Sequence, residues 1–218
     1  MKTVIIACKT LEDELESAVQ NIGVSYPILW LESGLHNTPK KLNRKLQEIL
    51  DDLKADRVLA VLGFCGNSVL GIKAGDFELI IPRVDDCISL LLGSVKERAE
   101  VSRQYAAYFL TGGWLRGERN MWTEYQYTRD RYGEEQAKYL SKMMFSHYRT
   151  LGILDSGAVL IEPLVDETKI IADTLGLEQK VIPASVAYIQ LLLTGPWPED
   201  KFLVTAPGQT IANKDLYF

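Results

Sequence analysis

Residues 58–94 read VLAVLGFCGNSVLGIKAGDFELIIPRVDDCISLLLGS, and their reading decides the fold. Two apolar runs of β type, predicted over residues 57–64 and 77–82, each end in a polar turn followed by a helix-like segment. Cys65 lies in the first turn, Cys65-Gly66-Asn67-Ser68. Cys87 closes the second, Arg83-Val84-Asp85-Asp86-Cys87, and opens an apolar helix over residues 88–92 that Gly93 stops.

Working outward, the same unit repeats. Toward the N-terminus, residues 3–8 form a Val/Ile-rich strand that ends at Cys8. Thr10 is placed to cap the next helix, with Asp13 three residues on. Leu11, Leu15, Val19 and Ile22 fall at helical spacing, and Gly23 ends the run. A second strand is predicted over 26–31 and exits into Glu32-Ser33-Gly34-Leu35-His36-Asn37. Thr38 and Pro39 then open a helix with the stripe Leu42, Leu46, Ile49, Leu50, Leu53.

Toward the C-terminus, a fifth strand is predicted over 106–111, with Gly112-Gly113-Trp114 as a turn after it. Residues 117–152 are rich in aromatics and arginines and read as one long or two shorter helices broken near Gly133. Alternation then resumes: strand 158–162, helix 166–175, strand 181–183, helix 186–193, turn 195–198 and strand 202–206. The expected fold is α/β, a mostly parallel sheet with helices on both faces, Rossmann-like, plus a helical aromatic-rich insertion. The chain reads as a single domain over 1–218, divisible into lobes 1–115 and 153–218 joined by the helical segment 116–152.

Composition sets limits on function. Of the 218 residues, 47% are hydrophobic and 24% charged, the balance of an ordinary globular protein. A net charge of -5 weighs against nucleic acid or anionic lipid as the main partner. No apolar run reaches the roughly 18 residues of a membrane span. The N-terminal apolar run is too short, and too quickly followed by acids, for a signal peptide, so a cytoplasmic protein is expected. Three cysteines without paired spacing do not make a disulfide framework.

Right-handed crossovers put every strand-to-helix loop at the carboxyl edge of the sheet, where such folds bind ligands. Cys8, His36, Cys65 and Cys87 all lie in or beside those loops. Three thiolates and an imidazole suit tetrahedral zinc, and the same soft donors suit iron or an iron–sulfur cluster. A free cysteine in an apolar run is ordinarily a small buried hydrophobe, which describes Cys8 best. Cys87, opening a helix, is expected to gain thiolate character from the helix dipole. The rival reading makes Cys65 or Cys87 a metal-free nucleophile on a small acidic substrate, with His36 as base.

Asn67 and Arg83 are expected near the ligand, Arg83 alternatively pairing with Asp85 or Asp86. Both aspartates read most simply as helix caps. Trp114 can supply an aromatic wall. The aromatic middle could pack on the core, close as a lid or join copies in a homo-oligomer. His147 within it has no evident partner.

These residues also resemble a known family. Ala7-Cys8, Gly34-Leu35-His36, Cys65-Gly66-Asn67, Pro82-Arg83 through Asp86-Cys87 to Leu92-Gly93-Ser94, Gly113-Trp114 and Pro207-Gly208-Gln209-Thr210 are together similar to domain of unknown function family 1638. Relatives often carry His-Asp-Cys where this chain has Asp85-Asp86-Cys87. The family is uncharacterised. Its frequent placement beside corrinoid-dependent methyltransferases implies an accessory role in one-carbon metabolism, with corrinoid contact and a corrinoid protein or methyltransferase as partner. A non-enzymatic partner-binding protein with a structural metal is the remaining alternative.

Overall fold

The computed structural model describes residues 1–117 and 120–216. Residues 118 and 119, inside the expected helical insertion, lie outside the described residues. In chain order the first half runs β1 (Thr3–Cys8), α1 (Glu12–Ile22), β2 (Ile28–Leu31), α2 (Pro39–Asp51), β3 (Arg57–Val61), β4 (Glu78–Pro82), α3 (Cys87–Leu92) and α4 (Val95–Tyr105). The second half runs β5 (Ala107–Leu110), α5 (Gly112–Leu115), α6 (Met121–Tyr132), α7 (Glu134–Met144), β6 (Thr150–Asp155), α8 (Ile161–Leu175), β7 (Glu178–Pro183), α9 (Ala187–Thr194) and β8 (Phe202–Thr205).

The strands form two sheets, ordered β2-β1-β3-β4-β8 and β5-β6-β7. All pairings are parallel except the edge pair β4–β8. The chain steps from β1 out to β2, then crosses back to β3 on the other side of β1, where Ile5 faces Ile28 and Leu59. Adjacent exits that diverge in this way open a crevice at the carboxyl ends of β1 and β3.

Strand alternation sends Ile5, Ala7, Leu59, Val61 and Ile80 to one face of the larger sheet. There they meet Leu11 and Leu15 beside α1, Ile88 of α3, Ile189 of α9, and Phe109, Leu154 and Ile182 of the smaller sheet. The other face, with Ile6, Val58, Ala60, Leu79 and Ile81, is covered by Leu42, Leu46 and Leu50 of α2. These leucines are almost fully buried, each worth about 1.5–3 kcal/mol against exposure. The smaller sheet packs Leu110, Leu151 and Ile153 against Met121 of α6 and Ile171 of α8.

Several sequence expectations need correction. The strand predicted over 158–162 lies earlier, at β6. Leu160 is 79% exposed and leads into α8, whereas Leu151 and Ile153 are fully buried. Gly152, expected to end the helical middle, is instead a strand residue at a tight approach: a Cβ there would stand 2.7 Å from Ile182 Cδ1. Thr10 does not cap α1. It sits in a 3-10 turn, Lys9–Leu11, and its hydroxyl is 3.0 Å from Cys8 Sγ. Helix α4 was not anticipated, because it fully buries no residue and rests on the core through only the half-buried Val95, Val101 and Tyr105. Ser94 starts it by accepting from Glu97 N–H at 3.0 Å. Gly112-Gly113-Trp114 is a short helix, capped by Thr111, and not a plain turn. The expected break at Gly133 does separate α6 from α7. Among the described residues, no helix is long and apolar enough to cross a membrane.

Candidate metal centre

Cys8, His36, Cys65 and Cys87 line one cavity of about 350 Å³, together with Asp86 and Trp114 among others. Each arrives on a different loop at the carboxyl edge of the larger sheet. A larger cleft of about 670 Å³ lies at the opposite, amino end, around Lys2, Asp56 and Asp76. It contains no thiol or imidazole, so chemistry and not size selects the smaller one.

Cys8 ends β1, directly at the crevice. His36 lies in a 3-10 turn, Leu35–Asn37, which Gly34 enters with a left-handed φ of 84°. The loop after β3 is fastened to the loop after β4: Phe64 N–H donates to Val84 O at 2.8 Å and Cys65 N–H to Asp85 O at 2.7 Å. Gly63 permits this approach, since a Cβ there would stand 2.6 Å from Asp86 Cα. Cys65, Gly66 and Asn67 then take φ of 43°, 68° and 63°, three left-handed residues in succession. For a non-glycine residue that conformation costs roughly 1–2 kcal/mol, and such strain gathers where a side chain must be aimed.

Asp86 performs several tasks at the centre. One oxygen caps α3 by accepting from Ser89 N–H at 2.8 Å, as expected of an N-cap. The other pairs with Arg98 Nη2 at 2.9 Å. Asp85 accepts from the Ser89 hydroxyl. Trp114 comes from α5, the short helix that follows β5 of the smaller sheet. It is held there because α5 lies hard against the Lys9–Leu11 turn, where a Cβ on Gly113 would be 2.5 Å from Thr10 O. Its ring centroid is 5.3 Å from that of His36.

Electrostatics tie the thiols together. Burial pushes the Cys65 thiol up to about 12, with Cys8 and Asp86 adding to the shift. Burial also raises Cys87, and again Cys8 and Cys65 contribute. His36 is lowered by burial, partly offset by Asp86. The expectation that the helix dipole makes Cys87 a ready thiolate is therefore reversed: α3 has only 6 residues, and desolvation outweighs its dipole.

Other candidates lie farther out. The Arg83 guanidinium donates to Asp215 O at 2.6 Å, and neither Arg83 nor Asn67 lines the cavity. Trp114 does line it. Arg98 was missed, because it lies on the unanticipated polar helix α4. Gly63 gave no signal either, since the close approach it permits is a tertiary fact. The His147 ring lies tilted at 42° against Tyr148, with centroids 4.1 Å apart, and faces a different cavity.

The donor set fits a soft or borderline cation. Buried thiols that disfavour one another's ionisation become favourable once a divalent ion supplies the opposing charge, and a neutral imidazole is ready to ligate. Among the described residues, no three His, Cys, Asp or Glu side chains already stand at metal-holding spacing.

A family model described as a protein of unknown function (DUF1638) matches residues 30–193. The match includes His36, Cys65 and Cys87 and stops short of Cys8. Comparisons with curated proteins and with solved structures return no match.

Proposed function

We propose, from the premise that this chain belongs to the DUF1638 family, that Cys8, His36, Cys65 and Cys87 form a metal-thiolate centre. The observation that carries the reading is that all three cysteines and His36, drawn from four separate strand exits, line one cavity. Zinc is the first choice, iron or an iron–sulfur cluster the second. The reading requires the four side chains to close on the ion when it loads.

Bound there, the ion would supply Lewis acidity and keep a thiol deprotonated at neutral pH. The chain's own residues do the rest. Asp86 steadies the α3 end of the site and biases His36 electrostatically. Trp114 shields the imidazole side from water. The most specific form of the reading is an accessory protein in corrinoid-dependent methyl transfer, its thiolate exchanging a methyl group with a corrinoid protein or methyltransferase. With all four donors engaged, a tetrahedral ion has no open position, and the centre would then be structural in a partner-binding protein. The metal-free nucleophile is disfavoured because burial holds the Cys65 and Cys87 thiols protonated.

Elemental analysis and an absorption spectrum on protein purified without oxygen test this, beside Cys65→Ser and Cys87→Ser. About one zinc or iron per chain, lost in both variants, is the expected result, and a visible band selects iron. Metal-free wild type with all three thiols titratable would overturn it.

A further inference from the structure

A second cavity, also of about 350 Å³, adjoins the thiol cavity, and Asp86 and Trp114 line both. Its walls carry a cation and flat rings. Arg98 is fixed by its 2.9 Å pair with Asp86. Tyr108 stands edge-on to Tyr148, centroids 5.4 Å apart at 88°, and to Trp114 at 6.2 Å. The His147 ring lies against Tyr148. Tyr108 and Tyr148 pack in part on the core of the smaller sheet, and both remain half-buried and line this cavity.

We infer that this second cavity binds a planar aromatic or heteroaromatic carboxylate, its ring among Tyr108, Tyr148 and His147 and its carboxylate on Arg98. A guanidinium fork suits a carboxylate, and Asp86 pre-orients it while occupying only part of its five N–H donors. Edge and face contacts with aromatic walls favour a flat ring over a puckered one. The cavity falls at the lower end of the volume range for small-molecule sites. The shared walls put the ligand beside the thiols, which gives the proposed centre a substrate class. That use rests on the reading above, whereas the binding itself does not.

The test is a ligand-observed NMR titration with nicotinate, with nicotinamide and cyclohexanecarboxylate as controls. Nicotinate is expected to bind with a Kd of about 1 mM or tighter, and both controls at least tenfold more weakly. Arg98→Gln should weaken nicotinate tenfold or more. Ser102→Phe, which fills the cavity from α4 one turn after Arg98, should abolish binding in a protein with unchanged circular dichroism. Cys65→Ser should bind as wild type does, so this result stands even if no metal is found. Equal binding of nicotinamide, or wild-type affinity in Ser102→Phe, would overturn the assignment. Loss of binding in Cys65→Ser would also overturn it, by moving the ligand to the thiol cavity.

Discussion

Replacing Glu14 with glutamine isolates one buried carboxyl and turns its environment into a stability curve. Glu14 lies in the first turn of α1 and is 3% exposed. Its Oε1 accepts from the Ser156 hydroxyl at 3.3 Å, while Oε2 is buried with no partner. Burial raises its pKa from 4.5 to about 7; Asp13 adds to the rise and Arg116 opposes it. A carboxyl shifted upward binds its proton more tightly folded than unfolded. It therefore contributes most below pH 4.5 and loses that contribution as pH rises through about 7. At 1.36 kcal/mol per pH unit the gap is worth about 3 kcal/mol, an upper figure because water entry would soften it.

Glutamine keeps the shape of the protonated acid and cannot ionise. Urea unfolding at pH 5 should favour Glu14→Gln by less than about 1 kcal/mol. At pH 8 the variant should be more stable by about 2–3 kcal/mol, or roughly 4–12 °C in Tm for a chain of this size. The difference between the two proteins cancels other groups that titrate in the window. Two curves that run parallel from pH 5 to 8.5 would refute the reasoning, because they would show that Glu14 does not change protonation on unfolding.

Two further outcomes follow from the thiol cavity. Metal-stripped Cys8→Ser, which leaves Cys65 and Cys87, should at pH 8 react with iodoacetamide at least about 100-fold more slowly than glutathione, and restore the fast rate in urea; fast reaction of these two thiols in the native protein would show that burial does not hold them protonated. Gly63→Ala forces a methyl group against the backbone of Asp86. It should cost about 1–3 kcal/mol in urea unfolding and lower metal content, and unchanged stability would show that the two loops are free to separate.

How much of this was legible in the sequence depends on which force decides each residue. Strands β1, β3 and β4 were readable because they are buried on both faces and therefore written as continuous Val, Ile and Leu runs. Their topology then followed from the handedness of crossovers, and with it the meeting of Cys8, His36, Cys65 and Cys87 at one edge. Strand β6 was misplaced by eight residues because its apolar run is short, split by Gly152 and preceded by aromatics that read as helix. Helix α4 left little trace because it fully buries no residue and rests on the core through only Val95, Val101 and Tyr105, with Arg98 and Ser102 between them.

The electrostatics were the least legible part. The position of Cys87 at a helix start suggested a lowered thiol, yet burial and the neighbouring thiols push it the other way. Sequence fixes which groups lie on which loop, but the sign of a pKa shift depends on what else reaches the same few ångströms. Here that includes Cys8 from β1, Cys65 from a left-handed turn and Asp86 held by Arg98. Burial and the neighbouring thiols make Cys65 and Cys87 costly to ionise alone, and a cation removes that cost. The same crowding that misled the sequence argument about Cys87 is thus what gives the metal reading its chemistry.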